Sequence, residues 1–112
     1  MADAYKILGT AANRNPSATT DTLLYTVPGS TSTVLSTIVV ANRSATATTF
    51  RVATIESGGT LGNQHYVFYD VPIAGNDTFV CTLGATLEAA ATVRIYAGAA
   101  TLTFTLYGCE VT

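Results

Sequence analysis

Along most of this chain apolar residues alternate with small hydroxyl residues at a period of two, and Gly, Pro, Asn and Asp interrupt the alternation roughly every eight to twelve residues. A period of two sends successive side chains to opposite faces of an extended strand, so the chain is expected to fold by stacking sheets. The filling of these strands is equally restrictive. With 21 Thr and 17 Ala against one His and no Trp, the sequence suits pleated, half-buried surfaces and offers few groups for acid–base chemistry or metal ligation.

The first strand is predicted over Ala4–Gly9, followed by a polar stretch, Thr10–Asp21, that holds Asn13, Asn15 and Pro16 and is expected to be a flexible loop. Residues 1–21 would then form an arm able to add a strand to a neighbour. Thr22–Val27 closes at the turn Pro28-Gly29-Ser30. In Thr33–Asn42, Val34, Ser36, Ile38 and Val40 share one face and Leu35, Thr37, Val39 and Ala41 the other; both are largely apolar, which predicts a central strand. Thr48–Ile55 follows the turn Asn42-Arg43-Ser44, and Ser57-Gly58-Gly59 opens a loop through Asn63. His65–Val71 is the most aromatic strand and should stop at Pro72, which has no N–H to give to a ladder.

After the turn Gly75-Asn76-Asp77 come strands Phe79–Leu83, Ala91–Tyr96 and Leu102–Val111. In the last, Leu102, Phe104 and Leu106 face a core, while Thr101, Thr103, Thr105 and Tyr107 face away. Ala85–Thr92 has some helical potential, but Gly84 and the β-branched flanks favour a connection. The reading is an all-β fold: one antiparallel β-sandwich domain over residues 1–112, about eight strands, of jelly-roll or Greek-key type.

Hydrophobic residues make up 48% of the chain and charged residues 11%, with a net charge of −2. Charge is thus well under the roughly 25% usual for soluble domains, which leaves a neutral, hydroxyl-rich surface inclined to pack against neighbours. Five scattered Lys and Arg give no footprint for nucleic acid. No apolar run reaches the length of a bilayer span and no secretory leader is visible, so a cytosolic origin and no membrane partner are expected. Cys81 and Cys109 lie in apolar runs and are expected as free, buried thiols.

His65 lacks a second His or a nearby carboxylate pair, and Asp70, five positions on, would face the other side of the strand; it reads as a polar residue at a strand start. Asn76-Asp77-Thr78 is too poor in carboxylates for calcium. Gly58-Gly59-Thr60-Leu61-Gly62 precedes an aromatic strand, where a phosphate loop would precede a helix. No catalytic residue, no metal ligand and no cofactor is therefore expected, and the chain reads as a non-enzyme. Interaction residues are expected in the arm, at Tyr5, Lys6, Ile7 and Leu8, and in the aromatic strand, at Tyr66 and Tyr69. Alternation there pairs Tyr66 with Phe68 and Tyr69 with Val67. Exposed tyrosines suit subunit contacts or a sugar platform. Arg43, Arg51 and Arg94 are the expected ion-pair or rim residues.

The runs Leu24-Tyr25-Thr26-Val27-Pro28, Thr37-Ile38-Val39-Val40-Ala41-Asn42-Arg43, Ala47-Thr48-Thr49-Phe50-Arg51-Val52, His65-Tyr66, Tyr69-Asp70-Val71-Pro72-Ile73, Gly75-Asn76-Asp77-Thr78 and Val93-Arg94-Ile95-Tyr96-Ala97-Gly98 together resemble small virion structural proteins of tailed bacteriophages. The resemblance covers most of the chain. It implies a virion component assembled in the bacterial cytoplasm. Its first implied role is a capsid decoration (cement) protein that self-associates as a homotrimer or homodimer and docks on the major capsid protein. A tail, neck, baseplate or fibre-attachment part bound to tail proteins is the alternative, and a carbohydrate-binding module for host glycans the second.

Overall fold

The computed structural model describes residues 3–112. The strands are β1 (Asp3–Leu8), β2 (Thr22–Thr26), β3 (Ser32–Asn42), β4 (Thr48–Ile55), β5 (Tyr66–Ile73), β6 (Thr78–Leu87), β7 (Thr92–Ala97) and β8 (Leu102–Val111), with a single 3-10 turn at Asn63–His65. They form two antiparallel four-stranded sheets: a front sheet ordered β1-β8-β3-β6 and a back sheet ordered β2-β7-β4-β5. β1 pairs with β8, β2 with β7, β3 with β6 and β4 with β5. The pair β3–β8 completes the front sheet and β4–β7 the back sheet.

The fold is all-β and sandwich-like, because the two sheets share one apolar core. Leu8, Leu35, Ile38, Val40, Leu102, Phe104 and Leu106 enter it from the front sheet, and Leu24, Phe50, Val52, Val93 and Ile95 from the back. Phe50 bridges the layers, with ring centroids 5.1 Å from Phe79 and 6.0 Å from Phe104, in the tilted geometries aromatic pairs prefer. Thr101 lies in the turn before β8, whose inward Leu102, Phe104 and Leu106 and outward Thr103, Thr105 and Tyr107 follow the simple alternation.

Elsewhere the alternation breaks, and each break has a local cause. On β3 the inward residues are Thr33 and Leu35 before Ser36, then Ile38 and Val40 after it. The register shifts there against both neighbours, β6 and β8. One extra residue flips the phase, so Val34 points out and Leu35 in, against the expected grouping of Val34 with Ile38. The partner distortion on β6 is at Gly84, whose φ of +64° suits glycine. Gly84 therefore bends β6 without ending it: of the expected connection, Ala85–Leu87 belongs to β6 and Thr92 to β7, and only residues 88–91 connect. Pro72 likewise lies inside β5, opposite Thr49. An edge strand tolerates it because the missing N–H faces solvent.

The segment after β1 is tied down, contrary to the flexible loop expected. Past Leu8, Arg14 takes over the edge of β8: its carbonyl accepts from the Phe104 N–H at 2.8 Å, and its guanidinium donates to the Phe104 carbonyl at 3.0 Å and to the Thr105 hydroxyl. Asn13 donates to the Leu23 carbonyl, Thr103 donates to Asn15, and the Thr19 N–H donates to the Ala97 carbonyl. Met1 and Ala2 of the expected arm lie outside the described residues. The rest of its strand is β1, paired to β8 of the same chain from Asp3↔Val111 to Leu8↔Leu106.

Candidate functional site

The outer face of the front sheet carries a run of exposed apolar side chains, with charged residues confined to its margins. Cross-strand pairing stacks them in rows: Tyr5, Cys109, Val34 and Thr86; then Ile7, Tyr107, Thr37 and Thr82; then Thr105, Val39 and Val80. Tyr5 is 82% exposed, and Ile7, Val34, Val80 and Tyr107 are all exposed. Tyr5, Ile7, Val34, Tyr107 and Cys109, with Lys6 as the one charged side chain, line a shallow groove of about 560 Å³. The face exists in this form because the Ser36 bulge turns Val34 outward. Arg14 and Arg43 sit at its far end, donating to the hydroxyls of Thr105 and Thr103.

The expected interaction residues of the first strand separate here. Tyr5 and Ile7 lie on this face. Leu8 is 0% exposed and belongs to the core, where no partner can touch it, because alternation turns it inward at the end of β1. Lys6 borders the groove and turns its ammonium to Glu110, at 2.7 Å. Cys109, expected buried, is half-buried on the groove, and Cys81 is half-buried against the core; both are free thiols.

Beneath the face a polar network joins the sheets. Glu110, 9% exposed, takes the Lys6 ammonium and the Tyr25 hydroxyl from β2. Since the single Tyr25 hydroxyl proton goes to Glu110, Thr33 donates to the Tyr25 oxygen at 2.8 Å. The Lys6 contact, then the Tyr25 hydroxyl, hold the Glu110 carboxyl below the usual carboxylate range. Burial, then the bond to Glu110, pushes Tyr25 up to about 12. No local motif marks Glu110 as part of a site, although counting in twos from Leu106 through Gly108 reaches it on the core side.

The expected aromatic strand builds a second cluster on the back sheet. Tyr66 and Tyr69 meet edge to face at 4.9 Å, while Phe68 packs against the core with ring contacts to Phe50 and Phe79. The register shift against β4 between Phe68 and Tyr66 disrupts the alternation that groups Tyr66 with Phe68. Arg51 pairs with Asp70 at 2.6 Å and lies 4.2 Å over the Tyr69 ring and 4.3 Å over the Tyr96 ring. The bond to Asp70 raises the Arg51 pKa. Asn63, Tyr66 and Tyr69 line an open hollow of about 480 Å³. Arg94 pairs with Asp21 at 2.7 Å; Arg43 donates to the Thr103 hydroxyl and the Ala100 carbonyl.

His65 is buried in the 3-10 turn just before β5. Nδ1 accepts from the Gly62 N–H at 2.9 Å, so the ring proton sits on Nε2, which donates to Glu56 at 2.8 Å. The fold supplies the carboxylate that sequence distance hid, and the pair fastens the loop between β4 and β5. Comparison with known proteins finds no matching family model, no matching curated protein and no matching solved structure.

Proposed function

We propose that this chain is a non-enzymatic structural protein of a tailed-phage virion, a capsid decoration protein that lays its front sheet on the shell and self-associates there. The observation that carries this reading is the run of exposed apolar side chains on the outer face, Tyr5, Ile7, Val34, Val80 and Tyr107, around a groove that Cys109 also lines. Contiguous exposed apolar surface on a small domain marks a contact with another macromolecule. Tyrosine supplies large contact area with a polar tip that tolerates a wet rim. The pairing of β1 with β8, β2 with β7, β3 with β6 and β4 with β5 favours the jelly-roll type within the sandwich class, an architecture that capsid domains use.

Docking would gain roughly 25 cal/mol per Å² of apolar area removed from water, repeated over many copies on a symmetric shell. Quantitative mass spectrometry of purified particles tests the role. Hundreds of copies per particle support cement, about a dozen move the protein to the tail or neck, and none removes the virion reading. Ile7→Lys, which places a charge in the groove, should abolish rebinding to shells stripped of the protein.

A second reading rests on the back-sheet cluster. Tyr66, Tyr69 and Asn63 offer ring surface and an amide around an open hollow, and Arg51 clamps Asp70 beside them. That chemistry suits a host sugar, with ring C–H groups on tyrosine and hydroxyls on polar groups. A glycan-array signal lost in Tyr69→Ala supports it, and binding to no glycan removes it.

A further inference from the structure

A two-sheet sandwich has four edge strands, and each exposes backbone N–H and C=O groups that another chain can pair with unless something blocks them. Three edges here are blocked. β1 is short and carries Asp3 and Lys6. The five-residue β2 is bulged at Leu24, and the incoming segment crosses it, with the Asn13 amide on the Leu23 carbonyl. β5 has two register shifts, Pro72 and the left-handed Asp70. The fourth edge, β6, spans Thr78–Leu87 with no charged residue and no proline.

Which backbone groups of β6 are open follows from the ladder. The Asn42 N–H donates to the Asp77 carbonyl at 2.9 Å, and Val40 lies opposite Phe79 and Ile38 opposite Cys81. Hydrogen-bonded pairs recur at every second residue of an antiparallel ladder. Phe79 and Cys81 therefore face β3 with their backbone groups, while Thr78, Val80 and Thr82 turn theirs to the open side. The Thr78 N–H is taken by the Asp77 carboxylate at 2.8 Å, which ends the open run on that side. The Gly84 bulge ends it on the other.

We propose that β6 pairs with β6 of a second copy, antiparallel about a two-fold axis through Val80, joining two front sheets into one. The stretch Thr78-Phe79-Val80-Cys81-Thr82 is self-complementary in that register. Val80 meets Val80, Phe79 meets Cys81 and Thr78 meets Thr82, which gives β-branched, apolar and hydroxyl pairs of the kind that stabilise sheets, with no like charges opposed. The two Val80 residues exchange N–H···O=C bonds, and each Thr82 N–H reaches the partner's Thr78 carbonyl. Val80 is 61% exposed, so the contact covers apolar surface as well as backbone. The pairing sets the two apolar outer faces side by side. It deepens the self-association in the function proposed above and names its element.

Sedimentation equilibrium of the full chain over a concentration series tests the contact, read together with backbone amide shifts. The expected result is a monomer–dimer equilibrium in which the Val80 and Thr82 amides shift with concentration. Val80→Pro removes one open N–H without touching the bonds to β3, and Val80→Lys opposes two like charges. Each should weaken dimerisation by roughly tenfold or more while leaving the far-ultraviolet circular dichroism unchanged. A wild type that stays monomeric to about 1 mM, the affinity at which association contributes only about 4 kcal/mol, overturns the proposal. So does association that both variants retain. Rebinding of Ile7→Lys to stripped shells reports on the docking face separately, so the function can fail while the dimer stands, and the reverse.

Discussion

Tyr25→Phe removes one oxygen atom from the centre of the buried network and should cost far more than its size suggests. Tyr25 is 8% exposed, and its hydroxyl donates to Glu110 and accepts from Thr33, residues that are 9% and 0% exposed. A hydrogen bond to a charged group contributes about 1.5–3 kcal/mol and a neutral one about 0.5–1.5, so the loss should total about 2–4 kcal/mol. At about 4 °C per kcal/mol for a domain of this length, the Tm at pH 7 should fall by roughly 8–16 °C. The pH dependence follows from the two shifts. Glu110 titrates below its unfolded value, so its contribution is complete above the ordinary carboxylate range and is lost as pH falls through the folded value. The gap between wild type and Tyr25→Phe should therefore narrow in acid. Tyr25 is raised to about 12, so its contribution is complete below the ordinary tyrosine value of about 10 and is lost as pH rises through the folded value. Melting curves from pH 3 to 11, a span set by those two ranges, check both arms. A Tm change under about 2 °C at pH 7, equivalent to about 0.5 kcal/mol, or a gap that is flat across the acid range, refutes the network as a stabilising unit.

Leu8→Ala should destabilise by about 2–5 kcal/mol in urea unfolding, as a fully buried leucine does when truncated. Deleting Met1–Asn13 removes Leu8 and strips β1 from β8, so circular dichroism should show a destabilised sandwich, whereas a detachable arm would leave the melting curve in place. At Gly75 an added Cβ would lie 2.0 Å from the Ala45 carbonyl oxygen; since backbone must move, Gly75→Ala should cost about 1–3 kcal/mol in thermal melts. Arg51→Ala should remove the clamp over Tyr69 and Tyr96 yet lower stability by no more than about 1 kcal/mol, because the ion pair with Asp70 is solvent-exposed.

Strand existence was legible because alternation and turn residues are local signals. The turns and ends that the sequence marks rest on Pro, Gly, Asn or Asp, and these succeed where several such residues act together, as at Pro28-Gly29-Ser30 and Gly75-Asn76-Asp77. Gly84 and Pro72 carry the same signal and sit inside strands. A glycine in a bulge and a proline on an edge look alike, in sequence, to a glycine or proline that ends a strand. What distinguishes them is the neighbour across the ladder, and pairing is long-range information. The polar stretch Thr10–Asp21 was misread for a related reason: its Asn and Arg side chains meet backbone of β2 and β8, far along the chain.

The candidate face shows how such a local error propagates. Alternation run without a break through β3 puts Val34 with Ile38 and makes both sides of the strand look equally buried, so the sheet seems to have no exposed apolar side. One inserted residue at Ser36 reverses the phase: Leu35 joins the core beside Leu8 and Leu106, and Val34 moves out beside Tyr5 and Cys109. Hydrophobic content along β3 is unchanged by the shift, yet it decides whether the front sheet is closed or presents a docking surface. If the bulge creates the face, deleting Ser36 should restore one phase along the strand. That would force either Leu35 or Ile38 out of the core, at about 1.5–3 kcal/mol for a large apolar side chain, and shell rebinding and stability should be lost together. A deletion variant that keeps wild-type stability would show that β3 can slip its register freely, and the exposed face would then owe nothing to the bulge.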